Sequence, residues 1–162
     1  MKAAVLFESK RPLKIVNIEL PKYLDRAQVL VKLHYSGICG SQIGEIDCIK
    51  GKDNYLPHLL GHEASGTVVE VGPQVKTVKA KDRVVLHWRP GSGKQSNPPI
   101  YKHNGKKINA GWVTTFNEYA VVSENRLTPI PEYINQDHAA LMGCAVTTAF
   151  GTINNDANTK IG

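Results

Sequence analysis

Three residues of this chain have side chains suited to holding a metal together: Cys39, His62 and Cys144. Two thiolates and an imidazole are donors that zinc favours, and three protein ligands leave a tetrahedral ion one position short. If they converge, the site is open and its ion acts as a Lewis acid rather than as a structural staple. Spacing alone leaves convergence undecided. The separations are 23 and 82 residues, unlike the compact knuckles that mark a zinc motif by themselves. A solitary cysteine is often just a buried apolar residue, and a solitary histidine often just a hydrogen-bonded one.

The elements that must position these residues read mainly as strands and turns through the first 135 residues. Ala3 to Phe7 is a short apolar run, and Val29, Val31 and Leu33 alternate with Leu30, Lys32 and His34. That period of two predicts a strand with one buried face. Thr67 to Gly72 is β-branched and ends at the Gly72-Pro73 turn, and Arg83 to Leu86 and Tyr119 to Val122 look similar. Short strands between such turns predict a twisted, partly open barrel. Cys39 then falls on a loop at a strand end, beyond Ser36-Gly37-Ile38, and His62 between Gly61 and Glu63, where the backbone can turn. Helices are fewer. Ser41 to Ile49 suits one or two turns, and Asn135 is an N-cap candidate before Ala139 to Met142. Gly143 ends that helix, Cys144 sits at the break, and Ala145 to Phe150 starts another despite its β-branched residues. His87 to Val113, with three prolines among four glycines, reads as a long irregular surface excursion.

The bulk composition bounds the rest. A chain of 162 residues with 41% hydrophobic content suits one domain with a real core. The net charge of +6 is moderate, and its densest part, Lys94 to Lys107, reads as a solvated loop rather than a nucleic-acid patch. Three cysteines make an odd count, which argues against a disulfide framework and for a reducing compartment. Glu8 interrupts the N-terminal apolar run before it reaches signal-peptide length, and no segment has the apolar length of a membrane span. A cytoplasmic protein with no membrane or nucleic-acid partner is the expectation.

The local pattern carries more than the spacing. Gly61-His62-Glu63-Ala64-Ser65-Gly66, followed by Gly72 and Val75, resembles the zinc signature of the medium-chain alcohol dehydrogenases throughout. Cys39-Gly40-Ser41 resembles that family's first-ligand segment, and Gly143-Cys144 with Thr147 to Gly151 its third. Met1 to Phe7 and Lys81-Asp82-Arg83-Val84 are similar to its opening strand and to a later turn. The resemblance spans nearly the whole chain. It implies a GroES-like catalytic domain over 1–153, mainly β with a few helices, and the start of a connection to a Rossmann domain over 154–162.

By that resemblance Cys39, His62 and Cys144 bind one catalytic zinc, a ligand set known for alcohol dehydrogenase. Ser41 takes the place of the hydroxyl proton relay. Glu63 is the acidic neighbour of the metal, Trp88 lines the substrate pocket, and Thr148 packs against the nicotinamide. The implied activity is hydride transfer from an alcohol, polyol or sugar to NAD or NADP in a homo-oligomeric full-length protein. Three departures stand out. Gln42 replaces the usual aspartate beside the zinc histidine, and Gly44 replaces a histidine that passes the proton on. His87 to Val113 contains no cysteine, so the second, structural zinc of the family is not expected. Gly91-Ser92-Gly93 imitates a dinucleotide turn but has no helix pattern after it, so the cofactor domain is expected beyond Lys160-Ile161-Gly162. Cys48 is expected to be a free thiol, and Arg89 hints at a polar substrate. Two other readings stay open: a zinc-free reductase of the same superfamily, and a stand-alone metal-binding or interaction module on a co-chaperonin-like barrel.

Overall fold

A computed structural model describes residues 1–157 and Thr159. Its centre is a five-stranded antiparallel sheet in the order β10-β6-β5-β3-β9. Here β3 is Gln28–Ser36, β5 Glu63–Val71, β6 Arg83–His87, β9 Tyr119–Ser123 and β10 Leu127–Pro129. The alternation in β3 works as expected: Val29 and Val31 are buried, Lys32 and His34 are exposed, and Leu33 packs at the margin. With Ala64, Val68, Val84, Leu86, Ala120 and Val122 they form one apolar cluster. The strand ends with Pro129 on the edge strand β10, where a missing N–H costs no ladder bond.

A second sheet has the order β2-β1-β4, with β1 Lys2–Leu6, β2 Lys14–Asn17 and β4 His58–Leu59. Its core joins Ala3, Val5, Ile18 and Leu59 to Tyr101 and Ile108. Those last two correct the reading of His87 to Val113 as an irregular excursion. The stretch holds an antiparallel hairpin, β7 Tyr101–His103 and β8 Lys106–Ile108, in which Tyr101 faces Ile108 and both are buried. The Tyr101 hydroxyl accepts the Val121 N–H at 2.9 Å, and burial pushes its phenol well above the usual range. Three-residue strands are too short to show alternation, so the sequence hid them.

Two buried charges tie the rest of that stretch down. The Glu124 carboxylate accepts the N–H groups of Lys76, Thr77 and Lys94. Burial alone would raise its pKa, but these donors hold it below the ordinary value. Arg126 donates to Gln95 Oε1 at 3.1 and 2.9 Å and to the Trp88 carbonyl, and its guanidinium lies 5.9 Å from the Trp112 ring centroid.

The helices are short: α1 Gly40–Ile46, α2 Gln136–Ala140 and α3 Ala145–Gly151. The first stops before the expected Ile49, because Cys48 turns the chain with a φ of 55°. Asn135 does cap α2, though without a side-chain hydrogen bond. A π-helical turn, Thr152–Asp156, continues α3 across the boundary expected after residue 153. Lys160, Ile161 and Gly162, expected to belong to the connection toward a cofactor domain, lie outside the described residues.

Candidate metal centre

Each of the three expected ligands is aimed by a different local device. Cys39 is the N-cap of α1, where its N–H donates to Gln42 Oε1 at 2.9 Å, a reciprocal cap that holds the cysteine at the helix entrance. His62 follows Gly61, whose φ of 90° is in the left-handed region. A side chain at Gly61 would also collide with Thr115 Oγ1, so glycine alone lets β5 begin here. Cys144 sits between the turn Leu141–Gly143 and α3. Gly143 packs so closely on the Leu86 carbonyl and on Glu63 that a Cβ has no room.

Glu63 joins two of these devices. Its side chain is 2% exposed, and its Oε2 accepts the N–H of Cys144 at 2.9 Å and of Ala145 at 3.1 Å. The residue after the second ligand therefore fixes the backbone of the third. A carboxylate at the first N–H groups of α3 satisfies donors the helix itself cannot. The position expected to be the acidic neighbour of the metal is in this structure an anchor of Cys144.

The ligand atoms of Cys39, His62 and Cys144 all lie within 4.8 Å of one another. His62 Nε2 is buried and has no hydrogen-bond partner. An orphaned ring nitrogen beside two thiols fits a metal better than it fits an apolar core. The Ser41 backbone N–H, then the Ser41 hydroxyl, holds the Cys39 thiol below its ordinary value. Burial pushes the Cys144 thiol up, with the Thr148 hydroxyl working against it. The donor set fits zinc.

The other ring nitrogen is occupied. Gln42, 3% exposed, has its Oε1 held by the Cys39 N–H, so its Nε2 is what meets His62 Nδ1, at 2.7 Å. An amide N–H donating to Nδ1 places the imidazole proton on Nε2. Ser41 Oγ accepts from the same amide at 3.0 Å and lies 3.5 Å from Nδ1. Thr148 Oγ1, on α3, is 3.9 Å from Cys144 Sγ, which puts Thr148 beside one of the three candidate ligands.

Beside the centre opens a cavity of about 1100 Å³, whose wall includes Ser41, Gln42 and His62. Trp88, expected at the pocket, is half-exposed under the Arg89 guanidinium and is not part of that wall. Trp112 is the tryptophan that lines it. Gly44 lines it without offering a side chain, and the free thiol Cys48 lies farther along. The sequence reading missed a pair here. His58 Nε2 meets Asp53 Oδ2 at 2.6 Å in the cavity wall, and Asp53 also accepts the Tyr55 N–H at 2.8 Å. Asp53 sits in an aperiodic loop and His58 in the two-residue strand β4, so no pattern marked them.

Residues 25–132 match the alcohol dehydrogenase GroES-like domain. An S-(hydroxymethyl)glutathione dehydrogenase of Synechocystis is 33% identical over 188 residues, covering 99% of this chain and 50% of its own length. The chain thus spans about half the length of the curated relatives it matches. An alcohol dehydrogenase zinc-binding domain protein from Burkholderia ambifaria has the same fold, with a TM-score of 0.87 at 23% identity over 99% of this chain and 50% of that one. A benzyl alcohol dehydrogenase from Acinetobacter calcoaceticus superposes with a TM-score of 0.76 at 22% identity, over 95% of this chain and 47% of that one. The converged Cys39, His62 and Cys144, the mainly β fold and the match over most of its length agree: this chain belongs to the alcohol dehydrogenase GroES-like domain family.

Proposed function

We propose that residues 1–153 form the catalytic domain of a zinc-dependent dehydrogenase that oxidises an alcohol, polyol or sugar hydroxyl and passes the hydride to NAD or NADP. The observation that carries this reading is the convergence of three donors around the orphaned Nε2 of His62. A zinc ion held by Cys39, His62 and Cys144 supplies a Lewis acid that makes an alcohol hydroxyl more acidic. The chain's own groups do the rest. Glu63 and Gln42 hold two of the ligand segments in place. Ser41, exposed on the cavity wall, relays the hydroxyl proton outward, and because Gly44 provides no group to receive it, the relay ends in water. Thr148, beside Cys144, is the residue that would pack against a bound nicotinamide. The described residues hold no glycine-rich turn leading from a strand into a helix, since Gly91-Ser92-Gly93 has no helix after it. In this reading the dinucleotide belongs to the part of the protein outside this chain, which spans about half the length of its curated relatives. Free Cys39, Cys48 and Cys144 support a cytoplasmic protein, and among the described residues no helix is long and apolar enough to cross a membrane. Assembly as a homo-oligomer belongs to the same reading.

The test is metal content and hydride transfer in the whole protein that carries this chain. One zinc per chain is expected, with Cys39→Ala and His62→Ala losing both zinc and NAD(P)-dependent alcohol oxidation. Full activity without zinc would instead favour the zinc-free reductase.

A further inference from the structure

The cavity beside the metal centre has a second end. From Ser41 and His62 it runs beneath the loop after α1 to the β7–β8 hairpin. Lys50 and Lys52 line it from the loop, and Lys107 lines it from β8. Among the described residues none of the three has an acid within ion-pair distance. The acids on the same wall are Glu45 and Asp53, and Asp53 is already taken by His58 and the Tyr55 N–H. Three cations thus face one free carboxylate.

The hairpin adds an independent sign. Lys102 and Lys107 are directly opposite in the β7–β8 register, and like charges so placed destabilise a ladder. Glu19 is bridged to Lys102 on its other side, which leaves Lys107, on the cavity wall, as the cation of the pair with no acid across from it. The same wall carries apolar side chains, among them Ile49, Ile100 and Trp112. A carbon chain fits there, and the volume is that of a small-molecule site.

We propose that this cavity takes alcohols carrying a carboxylate or phosphate at the end remote from the reacting hydroxyl, with Lys50, Lys52 and Lys107 binding the anion. This rests on the reading of the neighbouring centre as an alcohol site and names its substrate class. It also revises the basic stretch Lys94 to Lys107: Lys107 faces a cavity, while Lys94 is occupied with Gln74 elsewhere.

The experiment is calorimetric titration of the whole protein that carries this chain, metal-free and zinc-loaded, with hydroxyhexanoate, hydroxyhexyl phosphate and hexanediol. Both anions are expected to bind at least about tenfold more tightly than the diol, since the attraction of each exposed lysine is partly screened by solvent and the three act together. The tighter of the two identifies the anion. A triple Lys50→Gln, Lys52→Gln, Lys107→Gln variant loses the preference and keeps the diol affinity, and Lys94→Gln changes neither. Equal affinity for the three probes, no binding of any of them, or a preference that survives the triple variant overturns the proposal. A charge preference in a chain that takes no zinc would leave this proposal standing and remove the metal reading. Zinc binding without charge preference would do the reverse.

Discussion

The two ends of the cavity are built on opposite principles. At the metal end the side chains that position the ligands are buried and doubly bonded: Gln42 spans Cys39 and His62, and Glu63 spans Cys144 and Ala145. At the basic end, Lys50 and Lys52 stand exposed on a loop that turns through positive φ at Cys48 and Gly51. Among the described residues their charges have no acidic partner within ion-pair distance. The contrast follows from what each end has to do. A coordination site depends on direction within a fraction of an ångström, so its supports must be rigid. Attraction of an anion depends on distance alone and tolerates mobile side chains.

Breaking the rigid end should therefore cost the most. In Glu63→Ala two N–H groups at the start of α3 lose their acceptor and a fully buried side chain is removed, for a loss of about 3 kcal/mol. Glu63→Gln keeps an acceptor oxygen and should lose about 1 kcal/mol. Urea midpoints at constant slope measure both. Equal, small losses in the two variants would mean that Glu63 is not the anchor of Cys144.

A smaller effect sharpens the same end. The Gln42 amide donates to His62 Nδ1 and so favours the tautomer with its proton on Nε2, the nitrogen that faces the two cysteines. A metal at Nε2 needs the proton on Nδ1 and an acceptor beside it. Gln42→Glu keeps the side-chain length, retains an acceptor for the Cys39 N–H and offers a second oxygen to Nδ1. Zinc affinity, read by competition with a chromophoric chelator, should tighten roughly tenfold or more. Unchanged or weaker binding would show that the amide does not limit the site.

The metal end was also the legible end. Gly61, Gly143 and the residues beside the ligands are constrained by backbone approach, and such constraints leave residue-type signatures in the sequence. The strands of the central sheet were equally visible, because Val29 and Val31 against Lys32 and His34 record a buried and a wet face. The β7–β8 hairpin was not, since three residues are too few for a period and its one buried pair, Tyr101 and Ile108, packs against strands far away in sequence. Glu63 was visible as a residue but not in its role, which depends on a turn 81 residues later. The basic end was hidden for a related reason. A lysine in a glycine- and proline-rich stretch looks the same whether it faces water or a cavity.

The Asp53–His58 pair tests where the rigid part of the cavity stops. Asp53 lies on the same loop as Lys50 and Lys52, yet it is bonded in the manner of the metal end, with its carboxylate held by the imidazole of His58 on β4 and by a backbone N–H. Burial alone would raise the Asp53 pKa, but the Tyr55 N–H and His58 outweigh it and leave the carboxyl below its ordinary value of 3.8. A folded-state pKa below the unfolded one means that the group stabilises the fold above the unfolded value. That contribution disappears as the pH falls through the lowered folded value. Asp53→Asn should therefore cost about 1 kcal/mol at neutral pH, the net worth of a hydrogen-bonded pair of this kind. The difference between variant and parent should close below the ordinary aspartate range. Urea midpoints across that window measure it. A gap that stays constant with pH would place Asp53 with the lysines, as a mobile charge, and would move the border of the rigid region back to α1.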